Sequence, residues 1–232
     1  MAERSRQLSF DLPIDPQLGI DDFLVGASNE DAFSTITGWP DWPSRRLHLS
    51  GPHGSGKSHL AATWARRVGA HVIAATSVTE SAVPNLSVSG SLVLEDLDRG
   101  ELDEHALFHL VNVLLEQDGY LLVTSAVPID RCGLRLADLR SRLRLAPTVT
   151  LGEPDDALLK AVLVKLFIDR QLVIDASVVA FVAARIERSF EAAARVVAEL
   201  DREALSRGRR ITRPIAANIL PHDGEQVAAD EG

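Results

Sequence analysis

The sequence of 232 residues has little cysteine and no long hydrophobic run. Its one cysteine, Cys132, excludes an internal disulfide and a cysteine-rich metal site. The N-terminal segment Met1 to Arg6 has no apolar signal core. The most apolar helical pattern, around Leu158 to Ile168, is interrupted by Lys160 and Lys165. We therefore expect no membrane span and no targeting segment, and the expected location is the cytoplasm.

Positive charge is also scarce. The chain has 24 Lys and Arg against 33 Asp and Glu, a formal net charge of −9 and a pI near 5.2. This balance argues against electrostatic binding of nucleic acid over the whole surface. The length allows one domain with a good core, or one domain with a small appendage.

What the sequence does contain is a glycine-rich loop that ends in a lysine and a serine. It fits the pattern G-x-x-x-x-G-K-[ST] without a mismatch, follows the apolar run Leu47 to Leu49 and opens a helical pattern. A strand, a glycine loop and a helix in this order form a phosphate cradle. Loop N–H groups would meet phosphate oxygens, Lys57 would reach the β and γ phosphates, and the Ser58 hydroxyl would ligate Mg²⁺. The predicted ligand is ADP or ATP, and the positions assigned to it are Gly51, Pro52, His53, Gly54, Ser55, Gly56, Lys57, Ser58 and His59.

After this loop, short apolar strands alternate with helical patterns. Such alternation predicts an α/β fold with a parallel sheet that is covered on both faces. Ligands in these sheets gather at the carboxyl ends of the strands. The predicted strands are Val72–Ala74, Ser91–Asp96, Tyr120–Ser125 and Val149–Leu151, and a helix is predicted over Leu102–Leu115.

Two strands end in side chains that suit nucleotide chemistry. Glu95 and Asp96 end one strand, where carboxylates would retain Mg²⁺ and polarise water. Thr124 and Ser125 end another, and either hydroxyl would bond the γ phosphate or the attacking water; a turn or capping role is equally open.

The segment upstream of the loop is a candidate for adenine contacts. Phe23, Leu24 and Val25 are apolar and shortly precede the phosphate loop. These side chains would either contact the adenine ring or belong to the core, and the sequence does not separate the two alternatives.

The pattern changes at Pro154, after which strands disappear. Helical periodicity over Asp155–Arg170, Asp175–Glu187 and Phe190–Arg207 predicts a small all-helical second domain. We therefore predict an extended tail over 1–20, an α/β nucleotide-binding domain over 21–152, a helical domain over 153–222 and a disordered acidic tail over 223–232.

Two further segments indicate contacts with other molecules. Arg140, Arg142 and Arg144 alternate near a helix end, where one guanidinium could act on a neighbouring molecule's γ phosphate. A solvated basic helix end is the alternative. In the N-terminal tail, a glutamine followed by alternating apolar side chains is typical of a peptide that docks in a groove, or of an ordinary strand. That segment is Gln7, Leu8, Ser9, Phe10, Asp11 and Leu12.

Together these motifs resemble the DnaA group of AAA+ ATPases, which have an α/β nucleotide domain followed by a helical lid. The resemblance covers about residues 20 to 220 and rests on the phosphate loop, the two polar strand ends, Leu139–Arg142 and Arg188–Ala193. It implies that Arg142, the arginine of a Ser-Arg pair, is the trans-acting finger. It also implies that Arg188 opens the third lid helix and senses the γ phosphate.

Within that group the sequence departs from the replication initiators. No DNA-binding domain is expected after the lid, and the link from Val72 to Leu92 is too short for the insertion that initiators use on single strands. The segment Gln7–Leu12 looks like the hexapeptide that docks on the sliding clamp. These departures indicate the DnaA-homologous regulators that inactivate the initiator.

That resemblance implies the partners and leaves the enzymatic activity undecided. The implied partners are the DnaA initiator and the DNA polymerase III sliding clamp (beta subunit), with DNA reached through the clamp, and a homo-oligomer is possible. Because Glu95 precedes Asp96, where an aspartate usually comes first, the protein's own hydrolysis is in doubt. The alternatives are a self-contained ATPase that remodels or loads another replication protein, and a non-catalytic adaptor that senses adenine nucleotide.

Overall fold

A computed structural model describes residues 23–207 and 210–220 of the chain. The predicted docking segment Gln7–Leu12 and the predicted acidic tail 223–232 lie outside the described residues. No helix in the described ranges is long and apolar enough to cross a membrane.

Five parallel strands form the central sheet, in the order β2-β3-β4-β1-β5. The middle strands are apolar and buried because helices cover both faces, as the continuous apolar runs predict. Since all strands run the same way, their carboxyl ends lie at one edge of the sheet. The strands are β1 Arg46–Ser50, β2 His71–Ala74, β3 Ser91–Glu95, β4 Tyr120–Ser125 and β5 Thr148–Thr150.

The helices of the α/β part form two layers. Apolar side chains of α1 and α2 pack on one face of the sheet, around Trp64 and Leu60. Those of α3, α4 and α5 pack on the other face, around Leu107 and Leu110. Helix α4 begins two residues later than predicted because the Asp103 side chain accepts a hydrogen bond from the Ala106 N–H and caps it. The helices are α1 Glu30–Thr37, α2 Lys57–Val68, α3 Val83–Ser87, α4 Glu104–Glu116 and α5 Ala137–Arg144.

The rest of the described chain is helical and has its own core. This helical lid packs around Leu163, Phe167 and Val197. Helix α8 has the predicted bounds, α7 ends at Ala183 rather than at Glu187, and α9 is a short helix that the periodicity did not predict. The lid helices are α6 Asp156–Asp169, α7 Ala176–Ala183, α8 Phe190–Arg207 and α9 Arg213–Ile219.

A buried polar network joins β1, β4 and β5 at the sheet. The Ser125 hydroxyl donates its one proton to the Val127 carbonyl at 2.5 Å, so His48 Nε2 donates to Ser125 Oγ at 2.6 Å. His48 Nδ1 then accepts from the Thr148 hydroxyl at 3.1 Å, which requires a neutral imidazole. Burial lowers the pKa of His48 to about 4, although Asp98 acts in the opposite direction.

We expect the free energy of unfolding to fall as the pH is lowered from 6.5 to about 4. In this range His48 of the unfolded chain binds a proton that the native imidazole does not, so its stabilising effect is complete above pH 6.5 and is lost toward pH 4. The change from 6.5 to about 4 corresponds to about 3 kcal/mol. Urea unfolding at several pH values measures it, with His48→Gln as the non-titrating control. An equal decline in both proteins would contradict the prediction.

Candidate nucleotide site

The phosphate loop lies between the end of β1 and the start of α2. Gly54 and Gly56 have φ angles of +67° and +96°, which residues other than glycine rarely adopt. A Cβ on Gly54 would lie 2.6 Å from Ser189 Cβ, and one on Gly56 would lie 3.2 Å from the Phe190 ring. Glycine is therefore required here both by the backbone and by the close approach of the lid.

Lys57 places its ammonium group inside this loop. The side chain is buried, and Nζ donates to the carbonyls of Gly51 at 2.7 Å and Pro52 at 2.9 Å. Burial lowers the pKa of Lys57, and the carboxylates of Asp96 and Asp98 act in the opposite direction. A partly desolvated cation at a helix N-terminus favours an anionic ligand.

A cleft of about 340 Å³ opens beside the loop. The first turn of α2 contains no acidic side chain, so nothing there competes with an anion for its N–H groups. The cleft is bounded by the loop, by the end of β3 and by the start of α8. The residues that line it are His53, Gly54, Gly56, Lys57, Ser58, His59, Asp96, Arg99, Phe190 and Glu191.

The two carboxylates at the end of β3 differ in position. Asp96 lines the cleft, with a left-handed φ of 56°, and its N–H donates to Thr124 Oγ1 at 3.1 Å. Glu95 Oε1 is buried and has no hydrogen-bond partner among the described residues. Asp98, two residues on, accepts from the Ala126 N–H at 3.0 Å and so faces the loop after β4.

Of the two predicted hydroxyls, that of Thr124 contacts the residue that follows the carboxylate strand, Asp96. Its Oγ1 holds the Asp96 N–H beside the cleft. Ser125 is the next residue of the strand and lies on the opposite face, in the network with His48 and Val127. A γ-phosphate contact therefore remains a prediction for Thr124, whereas the structure does not bring the Ser125 hydroxyl into the cleft.

The segment before α1 lies near both the lid and the phosphate loop, since a Cβ on Gly26 would lie 3.0 Å from Leu158 and one on Gly56 would lie 3.7 Å from the Phe23 ring. Phe23 is buried against Phe33 and His59, with ring centroids 5.4 Å apart in both pairs. The Leu24 carbonyl accepts from Asn29 Nδ2 at 3.0 Å, and Val25 is 45% exposed. Phe23 is thus a core residue, and Leu24 and Val25 remain the candidates for an adenine contact.

Asn29 is a positioning residue that sequence reasoning missed. It is almost fully buried, and its Oδ1 accepts from the Gly26 N–H at 2.8 Å while its amide bonds the Leu24 carbonyl. These two bonds hold the segment in its bend. The signal available in the sequence was an asparagine at an N-cap position, directly before Glu30, the first residue of α1.

The three arginines of α5 have different surroundings. Arg144 pairs with Asp130, and Arg140 is half-buried. Arg142 is exposed, and its guanidinium has no hydrogen-bond or ion-pair partner in the described part of the chain. Its carbonyl accepts from Arg46 Nη1 at 3.4 Å. Because Arg46 begins β1 and the phosphate loop follows the end of β1, about 16 Å further along the strand, Arg142 lies toward the opposite end of the sheet from its own loop.

Arg188 lies in the turn before α8 and not at the opening of the helix as expected. The helix begins at Phe190, and the hydroxyl of Ser189 caps it by accepting from the Ala192 N–H at 3.1 Å. Arg188 is exposed, is not among the residues that line the cleft, and lowers the pKa of Asp156 after the larger effect of Lys160. The structure thus does not place Arg188 among the residues that line the cleft, and its role as a γ-phosphate sensor stays a prediction.

Three residues of the cleft, Arg99, Phe190 and Glu191, were not predicted from the sequence as site residues. The Phe190 N–H donates to the Gly54 carbonyl at 2.7 Å, which joins the lid to the phosphate loop. Arg99 follows the carboxylate strand and bonds His53 of the loop. The sequence spacing of His53, Arg99 and Phe190 does not predict these contacts, because they depend on how three separate segments of the chain pack together.

The residues of the cleft fit a nucleotide with a bound divalent cation. Lys57 and the first turn of α2 suit phosphate oxygens. Ser58 and Asp96 both line the cleft and carry the oxygen ligands that Mg²⁺ prefers. No cluster of three His, Cys, Asp or Glu side chains that could hold a metal occurs within the described ranges, so phosphate oxygens and water would complete the shell.

The fold is that of AAA+ nucleotide-binding domains. No protein-family model matches the sequence, and no curated protein matches it. Domain III of the Thermotoga maritima replication initiation protein DnaA superposes with a TM-score of 0.75 at 19% identity, over 88% of this chain and 96% of that one. AMPPCP-bound DnaA from Aquifex aeolicus gives 0.64 at 19% identity, over 84% of this chain and 69% of that one. A point variant of Thermotoga maritima RuvB gives 0.68 at 17% identity, over 86% of this chain and 70% of that one.

Proposed function

We propose that the chain binds ADP or ATP with Mg²⁺ in the cleft beside the phosphate loop. The observation that carries this proposal is the buried ammonium of Lys57, held at the N-terminus of α2 by the Gly51 and Pro52 carbonyls. Ser58 and Asp96, which line the cleft, would hold Mg²⁺. Leu24 and Val25, in the segment before α1, would border the adenine. A bound divalent ion would neutralise phosphate charge. That a DnaA of the same fold was solved with AMPPCP supports the choice of adenine nucleotide.

The function that fits best is negative regulation of replication initiation, as in Hda, the DnaA-homologous regulator. In this proposal Arg142 enters the site of initiator-bound ATP and accelerates its hydrolysis. Its exposure, its lack of an ion pair in the described ranges and its position away from the chain's own phosphate loop support a role in trans. The protein's own nucleotide would then set the angle between the α/β part and the lid, since Phe190 contacts the phosphate loop directly.

The proposal includes the sliding clamp as the site where the two proteins meet. The segment Gln7–Leu12 would dock in a groove of the clamp, and a clamp on DNA would hold regulator and initiator at high effective concentration. DNA would be reached through the clamp, in keeping with the net charge of −9.

The direct test is the hydrolysis of initiator-bound ATP by purified DnaA and DNA-loaded clamp, with and without this protein. Acceleration supports the proposal, and an unchanged rate contradicts it. Brisk ATP turnover by the isolated chain, without DnaA, would instead indicate a self-contained ATPase. Nucleotide binding with neither effect would indicate an adaptor.

Replacing Gln7 and Leu8 together by alanine is expected to abolish clamp association. The change removes the side chain that would set the register and one of the three apolar anchors. Pull-down on immobilised clamp measures the loss, and ADP titration of the same variant serves as the control because nucleotide affinity is expected to be unchanged. Undiminished pull-down would exclude this docking segment.

A further inference from the structure

Arg99 lies at the mouth of the cleft, in the loop between β3 and α4. Its backbone N–H donates to the Asp96 carbonyl at 3.1 Å. Its guanidinium approaches two groups: Nη2 is 2.6 Å from His53 Nδ1, and Nη1 is 3.6 Å from Asp96 Oδ2. The side chain therefore bridges the phosphate loop and the carboxylate strand.

The positive charge of Arg99 is only weakly compensated by these contacts. The side chains of Arg99 and Asp96 are 47% and 39% exposed, and an ion pair of this kind contributes little. A guanidinium only donates hydrogen bonds, so His53 Nδ1 accepts and the imidazole adds no negative charge. The guanidinium can thus leave Asp96 at low cost.

Arg99 and Lys57 are two cations that line the same cleft. Arg99 is close enough to act on the Lys57 ammonium, whose pKa is lowered by burial first and also by this neighbouring charge. The carboxylates of Asp96 and Asp98 act on Lys57 in the opposite direction and more strongly than Arg99 does, and both cations lie beside the first turn of α2, which carries no acidic residue. Two converging cations at a helix N-terminus form a site for a polyanion.

We propose that Arg99 is a second phosphate-binding cation of this site, which contacts the terminal phosphate of the nucleotide bound to its own chain. The inference rests on the proposed nucleotide binding and goes beyond it by naming a residue that distinguishes nucleotides by phosphate number. The Lys57 ammonium lies inside the loop, whereas the Arg99 guanidinium faces the cleft from the β3 side, next to Asp96. A planar guanidinium there matches two oxygens of one phosphate.

The geometry predicts that the contribution of Arg99 to affinity increases with the number of phosphates in the nucleotide. A terminal-phosphate contact is present with ATP, weaker with ADP and absent with AMP. Arg99→Ala is therefore expected to weaken ATP binding about tenfold to a hundredfold, as for a charged hydrogen bond, with a smaller loss for ADP and none for AMP. Arg99→Lys keeps the charge but not the planar guanidinium. Its ATP affinity is therefore expected to lie between those of wild type and Arg99→Ala.

The experiment is displacement of a fluorescent ADP analogue from the full chain by ATP, ADP and AMP. Arg195→Ala is the matched control, because Arg195 borders the hollow next to the cleft together with Arg99 and His53 but does not line the cleft itself. This control is expected to change all three affinities by less than about twofold. Thermal melting without nucleotide checks that each variant is folded.

The outcomes separate the two proposals. Wild-type protein that binds none of the three nucleotides would overturn the proposed function. Wild-type binding with equal ATP affinity in Arg99→Ala, or with equal losses for ATP and AMP, would overturn the role of Arg99 alone. If Arg99→Ala is unfolded, Arg99→Lys decides, because an unchanged ratio of ATP to AMP affinity in that variant contradicts the contact.

Discussion

Arg142→Ala is expected to lose the acceleration of initiator-bound ATP hydrolysis, a decrease of about 10³-fold to 10⁵-fold in the stimulated rate. A guanidinium that reaches the γ phosphate of another molecule neutralises charge in the transition state, and alanine cannot. The Arg142 side chain is exposed and has no ion pair in the described part of the chain, so its removal is not expected to affect folding. The measurement is single-turnover hydrolysis with DnaA, clamp and DNA.

Arg144→Ala is the matched control for this experiment. It removes the same charge from the same helix, but Arg144 is held by Asp130 on the surface of its own chain. The stimulated rate is expected to remain within a few-fold of wild type. Full stimulation by Arg142→Ala, or equal losses in both variants, would refute a specific role for Arg142.

Lys57→Ala is expected to lose at least about a hundredfold in affinity for ADP and ATP. The ammonium lies inside the loop, between the Gly51 and Pro52 carbonyls, and would exchange these for phosphate oxygens. Hydrogen bonds to charged groups contribute about 1.5 to 3 kcal/mol each. Two of them correspond to about 3 to 6 kcal/mol, or two to four decades in the dissociation constant. Isothermal titration calorimetry measures the loss.

The stability of the same variant without nucleotide is expected to change little, because losing the hydrogen bonds to the Gly51 and Pro52 carbonyls is opposed by removing a buried charge. Burial lowers the pKa of Lys57, so the folded chain bears a cost for holding this charge, and alanine removes that cost. Lys160→Ala is the control, because Lys160 pairs with Asp156 on the exposed side of α6. A rise in melting temperature on adding ADP is expected for wild type and Lys160→Ala only. Such a rise in Lys57→Ala would show that the nucleotide binds elsewhere or without this lysine.

The acidic pair shows how far sequence reasoning extends into the site. The sequence predicts that Glu95 and Asp96 end a strand near the phosphate loop, and the structure places them there. The sequence did not predict which of the two carboxylates faces the cleft. That choice depends on the left-handed φ of Asp96 and on the bond from its N–H to Thr124, a residue of the neighbouring strand.

The hydroxyls and arginines show the same limit. Thr124 and Ser125 are adjacent in sequence, yet strand alternation puts them on opposite faces of the sheet. The alternating arginines of α5 differ in their partners: Arg144 pairs with Asp130, whereas Arg142 has no ion pair in the described ranges. Asp96 and Asp130, the partners of Thr124 and Arg144, are not close to them in sequence. The local sequence pattern therefore does not predict which hydroxyl or which arginine is bonded.

By itself, the sequence determined the α/β class, the parallel sheet, the phosphate loop and the helical segment that follows, because each depends on periodicity or on a contiguous motif. Only the tertiary structure decided that Arg99 and Phe190 meet the loop, that Ser125 belongs to a buried network, and that Arg188 precedes α8 and does not line the cleft. These contacts join residues that are tens of positions apart. Their geometry follows from how loops and the lid pack together, and no local periodicity encodes that packing.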